Sequence, residues 1–283
     1  MATAPELMVI EPRRLGARER LSELWEYRRL ARYFGAEAVD KRARKTILGR
    51  FWLVLRPLAD VGVRALIFGG LLKAPSGGLP YFLFFLSGMM VFSLFAESLL
   101  WSTRGLELNG RLLSKVYMPR LLIPVSSVAP AFYELGVYAA ALAVSIVGFS
   151  IADGTLYLGD ALQVLAGIGA LVMALALSVS IGLWTSVLGA RFRDMRYSLG
   201  YLLQFAFFLT PVIYPVSALP GELQTIALLN PLAPIIEVFR WGILGVGAVH
   251  LEALALAAVV TVAIAAGGLR FFTRAEAAAL DSL

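Results

Sequence analysis

The chain has 283 residues, of which 59% are hydrophobic and only 16% charged, with a net charge of +6. A soluble domain carries about a quarter of its residues as charged side chains, so the chain is an integral membrane protein. It contains no cysteine, which excludes disulfides, thiolate metal sites and cysteine nucleophiles; the placement of its basic residues points to membrane orientation and not to nucleic acid.

Residues 1–50 are the one sizeable polar block and are read as a cytoplasmic N-terminal segment without the early apolar core of a signal peptide. Within them Glu19–Phe34 reads as a helix, with Leu21, Leu24 and Trp25 on one side and Tyr27, Leu30 and Phe34 on another. Trp25 and Tyr27 beside Arg28 and Arg32 suit the headgroup level, where aromatic rings are favoured and guanidinium groups meet anionic lipid. An interfacial amphipathic helix is expected; a helix packed on other cytoplasmic parts is the alternative.

A transmembrane domain is expected over 51–272, all-α, with six transmembrane helices at about 53–72, 80–103, 121–151, 161–189, 197–216 and 252–271. A helix of about 20 apolar residues crosses the hydrocarbon. The first run carries Arg56, Pro57, Asp60 and Arg64. With Arg56 near the inner surface, Arg64 lies about 12 Å deeper at 1.5 Å per residue. Asp60 and Arg64, four apart, can pair on one helix face. Between the second and third runs lies the basic stretch Leu108 to Pro124, LNGRLLSKVYMPRLLIP. It is read as a short helix over about 105–117, stopped by Pro119, which lacks an N–H and clashes with the preceding turn. It is either a loop that anchors two spans or a lever that another protein pushes. The fourth and fifth runs are uncharged and joined by RFRDMR, Arg191–Arg196. Beyond them, pieces at about 221–229 and 232–244 are broken by Asn230-Pro231 and Pro234. Each is too short to cross and is read as re-entrant or interfacial. A polar tail follows at 273–283.

Lysine and arginine set the orientation. Residues 1–57, 104–120, 191–196 and 270–283 hold 22 of the 25. By the positive-inside rule these segments, and with them both termini, are cytoplasmic, and the re-entrant pair is on the outer side.

The chemistry of most enzyme classes is missing. There is no G-x-x-x-x-G-K-[ST] for ATP. His250 is the sole histidine; one histidine by itself makes neither a zinc cluster nor a Ser-His-Asp set, and His250, at the outer entry to the last span, is read as a surface anchor. Asp153 and Asp160 sit in an outer loop, where loop and cap roles are the ordinary ones. Asp60, Arg64, Glu97 and Glu134 lie in apolar runs, where an unpaired charge costs about 2.5–3.5 kcal/mol or more. Arg64 and Glu134 both fall near mid-membrane, and a pair joining the first and third spans is expected.

Several stretches resemble one family. They are Leu48-Gly49 with Trp52 and Pro57; Asn109, Lys115, Pro119, Arg120 and Pro124; Arg191, Arg193 and Asp194; Pro211, Tyr214 and Pro215; and Asn230-Pro231 with Arg240. In order, spacing and sidedness they are similar to the transmembrane subunit of type-two ABC exporters, in the branch that exports lipid-linked O-antigen, capsule, teichoic acid or galactan. The resemblance implies a homodimeric permease in the bacterial cytoplasmic membrane with two copies of a separate ABC ATPase. The ATP and Mg belong to that partner, and this chain binds no cofactor or metal. It implies that residues 105–117 form the coupling helix, with Glu107, Asn109, Arg111, Leu112 and Lys115, and Arg193 and Asp194 of the neighbouring loop, meeting the ATPase. It also implies that the broken segment, with Pro211, Tyr214, Pro215, Asn230, Pro231 and Arg240, forms an outer gate. Candidates by position for lining a sugar path are Trp101, Tyr133, Tyr138, Tyr201, Phe205 and Phe208, the last three on one helical face. The competing functions are a permease for a small amphiphile, a membrane-embedded glycosyl or acyl transferase, and a structural assembly factor.

Overall fold

An apolar segment in lipid has no water to bond its backbone, so it satisfies its own N–H and C=O groups as a helix. The computed structural model describes residues 25–43, 51–113, 119–192 and 194–280, and among these residues no strand occurs. The helices are α1 (Arg28–Ala43), α2 (Trp52–Ala65), α3 (Tyr81–Leu113), α4 (Leu122–Ser126), α5 (Ala129–Asp153), α6 (Ala161–Arg191), α7 (Asp194–Leu209), α8 (Gly221–Leu229), α9 (Leu232–Leu244) and α10 (Leu251–Leu280).

Four stretches are long and apolar enough to cross a membrane: α3, α4 with α5, α6, and α10. Counting the pair α8 and α9, bent by 98° at Asn230-Pro231, gives five. The first and fifth apolar runs form shorter α-helices. α2 has 14 residues and continues as a π-helical turn over Leu66–Leu71. This widened turn carries Gly69, whose backbone lies so close to Tyr81 that a Cβ there would overlap its ring. α7 has 16 residues and stops before Thr210-Pro211, because proline cannot continue a helix.

The separate helix expected at 105–117 does not form. α3 runs unbroken for 33 residues, and the described part of that stretch is its last turns. No proline interrupts 103–113, and Gly105 serves contact instead of a break, since a Cβ on it would come within 2.7 Å of Ser127 Oγ. α10 continues from the last apolar run into the polar tail as far as Leu280. The third run is divided into α4 and α5 by a turn at Ser127-Val128, ahead of Pro130. α6 opens on a capping box, Asp160 and Gln163 each accepting a backbone N–H from the other.

α3 is the axis of the molecule. Its apolar window is 83% buried, against 33% or less for the other three long stretches. It packs chiefly against α6 and α5, and α6 in turn against α10 and α9. Small residues line the α3–α6 seam: Ser102 meets Gly182, Thr103 meets Gly189, and the hydroxyls of Thr103 and Thr185 bond at 2.6 Å. Small side chains let two helices approach until their backbones are in van der Waals range, which replaces the hydrophobic drive that lipid cannot supply. A second cluster joins the far ends of these helices, with Phe34 of α1 buried among Leu106, Leu122, Ile123, Val187 and Phe272. Gly35 brings α1 against Ala129. Tyr27, Leu30 and Phe34 therefore face the bundle, while Trp25, Arg28 and Arg32 are exposed, with the Arg28 guanidinium 5.3 Å from the Trp25 ring.

Candidate functional site

Three charged residues of α2, Arg56, Asp60 and Arg64, recur every four positions and so share one face. They look onto a stripe of α3 with the same kind of spacing: Ser93, Glu97, Trp101, Arg104 and Leu108. Together these faces bound two adjoining cavities. The smaller, about 240 Å³, is lined by Asp60, Arg64, Ser93, Glu134 and Tyr138 among others. The larger, about 620 Å³ and nearer the C-terminal end of α3, is lined by Leu100, Trp101, Arg104, Leu108, Arg196 and Tyr197. Arg56 and Glu97 line both, so the two form a continuous polar cleft.

Inside the cleft the charges are partnered in a definite order. Arg64 Nε donates to Asp60 Oδ1 at 2.9 Å, the intrahelical pair that their spacing suggests, and its guanidinium lies 4.6 Å from the Phe207 ring. Ser93 Oγ donates to Glu134 Oε1 at 2.6 Å. Where the sequence suggested a bridge from Arg64 to Glu134, Arg64 thus bonds one turn back on its own helix, which costs no displacement of α2 or α5. The two residues still line the same cavity. Trp101 Nε1 donates to Glu97 Oε2 at 3.1 Å. At the rim of the larger cavity Arg196 of α7 pairs with Glu107 of α3.

The opposite end of α3 carries a buried knot. Arg240 is 2% exposed. Its Nη1 donates to the Pro211 carbonyl at 2.7 Å, its Nη2 to that of Val212 at 2.9 Å, and its Nε and Nη2 both to that of Phe84 at 3.3 Å. Glu237, also buried, accepts from Nη1 at 3.3 Å. The Pro211 and Val212 carbonyls follow the end of α7, where no helical N–H returns to them, so the guanidinium satisfies groups that would otherwise be orphaned. Gly88 permits this approach, because a Cβ there would overlap Nη2. Tyr81 Oη donates to the Ile213 carbonyl at 3.1 Å, Tyr214 Oη to that of Phe208 at 3.2 Å, and Asn230 Nδ2 to Thr210 Oγ1 at 2.9 Å. Asn230 Oδ1 also accepts the Leu232 N–H, which shapes the bend ahead of α9. The residues expected at an outer gate, Pro211, Tyr214, Pro215, Asn230, Pro231 and Arg240, thus gather at one end of the molecule around the head of α3.

The aromatic candidates separate. Trp101 and Tyr138 line the cleft, and Tyr138 is fully buried. Tyr133 lies on a different, apolar groove between α2 and α5, with Val54, Leu58 and Val137. Tyr201, Phe205 and Phe208 share the exposed face of α7, and it is Phe207 that turns inward against Phe85 and Phe92. Of the expected coupling residues, Glu107 makes the Arg196 pair, Asn109 Nδ2 donates to the Gly105 carbonyl at 2.9 Å, and Asp194 opens α7. Arg111 and Leu112 lie in the last turn of α3, with their side chains outside the described residues, as are Lys115 and Arg193 altogether. Arg56, Arg104, Arg196 and Tyr197 were not singled out as a site by sequence reasoning. The four-residue recurrence in α2 and the 97–101–104–108 stripe were the available signals.

A profile of the ABC-2 type transporter family matches residues 36–244, from the second half of α1 to the end of α9. The chain belongs to the ABC-2 type transporter family. As an ABC-2 type permease subunit it is a transport component, with nucleotide used by a partner ATPase. It is 27% identical over 249 residues to the polysialic acid transport protein KpsM of Escherichia coli, an alignment covering 86% of this chain and 92% of that one. It is also 27% identical over 210 residues to the O-antigen export system permease protein RfbA of Klebsiella pneumoniae, covering 72% and 77%. The RfbA permease of Myxococcus xanthus is 25% identical over 221 residues, covering 77% and 81%.

Proposed function

We propose that this chain is the permease of an exporter that moves a lipid-linked polysaccharide outward across the bacterial cytoplasmic membrane. The observation that carries the reading is the near full-length similarity to permeases named for polysialic acid and O-antigen. Two copies of the chain form the pore and two copies of an ABC ATPase supply the power. In this reading the chain crosses six times, α2 with its π-turn and α7 providing the first and fifth crossings, and both termini are cytoplasmic. α1 lies at the inner surface with Trp25, Arg28 and Arg32 toward lipid headgroups. The inner end of α3 with Arg111 and Leu112, Lys115 after it in the sequence, and Arg193 with Asp194 at the start of α7 dock on the ATPase. α8 and α9 close the outer mouth, held by Arg240. The α2–α3 cleft is the inner part of the route, since its charges and hydroxyls offer hydrogen bonds that a sugar chain needs and a lipid tail does not.

The test is depletion of the protein in its native host, followed by fractionation of lipid-linked glycans between the two membrane faces. Long polymer gathering on the cytoplasmic side, with loss from the surface, is the expected result. Normal polymer at the surface overturns the reading in favour of a small amphiphile. Loss from both faces overturns it in favour of a biosynthetic role.

A further inference from the structure

We infer that the larger cavity between α2, α3 and α7 is a binding site for a phosphorylated sugar end, with Arg56, Arg104 and Arg196 holding the phosphate and Trp101 and Tyr197 the sugar ring. The inference rests on the polysaccharide reading and names the part of the substrate that this cavity takes.

The charges require it first. Arg56 and Arg104 line the cavity without a hydrogen bond or ion pair among the described residues, and both are exposed to it. Arg196 is bonded to Glu107 through Nη1, yet its Nε is buried with no partner. A buried guanidinium N–H without an acceptor is costly, and a bound anion is the natural way to satisfy it. Glu97 is the carboxylate on the lining, and it is engaged by the Trp101 indole. The lining therefore has three guanidinium groups to one carboxylate, with Glu107 behind Arg196. Guanidinium forks match the geometry of phosphate oxygens and donate two bonds at once, and three of them suit the greater charge of a phosphate better than that of a single carboxylate.

The aromatics add the second half. Trp101 is held edge-on by Glu97, and Tyr197 is 72% exposed at the rim. Sugars present an apolar C–H face as well as hydroxyls, and an aromatic ring covers that face. The cavity volume, about 620 Å³, lies within the roughly 300–1,000 Å³ of small-molecule sites and suits one terminal unit better than a polymer. The architecture explains why the site is open. α2 and α7 each touch α3, and the stripe Glu97, Trp101, Arg104, Leu108 between them stays uncovered.

The test uses the purified complex with its ATPase in nanodiscs. The probes are inorganic pyrophosphate, a short-chain prenyl-diphosphate monosaccharide, and phosphatidylglycerol as disc lipid against phosphatidylcholine. Binding of the sugar-bearing probe is expected to weaken at least tenfold in R56Q/R104Q, the loss of about one charge-assisted contact. W101A is expected to weaken that probe and leave pyrophosphate unchanged. R56K/R104K keeps the charge and loses the fork, and an intermediate affinity is expected; it stands in if the glutamine variant fails to assemble. Equal affinity in wild type and both arginine variants overturns the proposal. So does full displacement of the probe by phosphatidylglycerol, which would make the cavity a lipid headgroup site without a sugar half. A small-amphiphile transporter fails the depletion test whatever this experiment reads, whereas a polysaccharide permease that binds the phosphate elsewhere passes depletion and fails here.

Discussion

Arg240 is the residue on which most backbone depends. One guanidinium bridges three carbonyls from two segments and a buried carboxylate, while stacking 3.6 Å from the Phe84 ring centroid. Truncation to alanine leaves Glu237 buried beside carbonyls that have lost their donor. Breaking a buried pair in this way costs on the order of 3–5 kcal/mol. R240A is therefore expected to lower the thermal midpoint of the solubilised protein strongly. R240K is expected to recover little, because one ammonium cannot reach three carbonyls in a fixed fork. An R240A protein that melts like wild type would mean that the turn after α7 holds itself. Sequence reading did place Arg240 with Pro211 and Asn230 at one end, through resemblance. It did not find that Arg240 is a structural tie, because the carbonyls it binds belong to backbone and leave no trace in residue identity.

At the scale of elements, α3 and its inner end carry the strongest expectations. R111E/K115E is expected to abolish export while membrane insertion and ATP hydrolysis persist; export equal to wild type would remove this end of α3 from coupling. The Glu107–Arg196 pair ties that end to the start of α7. It is partly exposed, so its stability worth is about 1 kcal/mol or less, and its value lies in register. E107R, which keeps Arg196 but repels it, is expected to uncouple ATP use from export; coupled export equal to wild type in E107R would show that the contact is incidental. The proline-marked bend at Asn230-Pro231 was legible in the sequence, since it follows from a missing N–H. The continuity of α3 was not. Hydropathy falls at Arg104 while helix propensity does not, and a drop in one was read as an end of the other. The cleft was half legible. Its residues were visible as intramembrane charges, but only the packing of α2 and α7 on α3 leaves the stripe from Glu97 to Leu108 open.

For the whole molecule, the six-crossing arrangement with both termini inside is directly testable, since the chain has no cysteine of its own. Single cysteines at Ala152 and Ser217 are expected to react with a membrane-impermeant maleimide in spheroplasts. One at Phe192, which is exposed, is expected to react only after lysis. Reaction of Phe192→Cys in intact spheroplasts would invert the molecule; protection of Ser217→Cys alone would put the α8–α9 pair on the inner side. The class of fold was readable from apolar runs and charge sidedness, which act through the solvent and need no tertiary detail. The shortness of α2 and α7 was not legible: α2 gives way to a π-turn where Gly69 meets Tyr81, and α7 stops before Pro211.

The helix most deeply enclosed in the finished molecule is among the first to be synthesised. α3 is complete at Leu113, whereas α6, its principal neighbour, ends at Arg191, 78 residues later. At about 5–20 residues per second that gap lasts on the order of ten seconds. Throughout it the seam with Ser98, Ser102 and Thr103 faces whatever the insertion machinery and the lipid provide. A nascent chain arrested after α5 would offer that seam to any small-residue helix nearby, so the membrane insertase or an early sister helix has to shield it until α6 arrives.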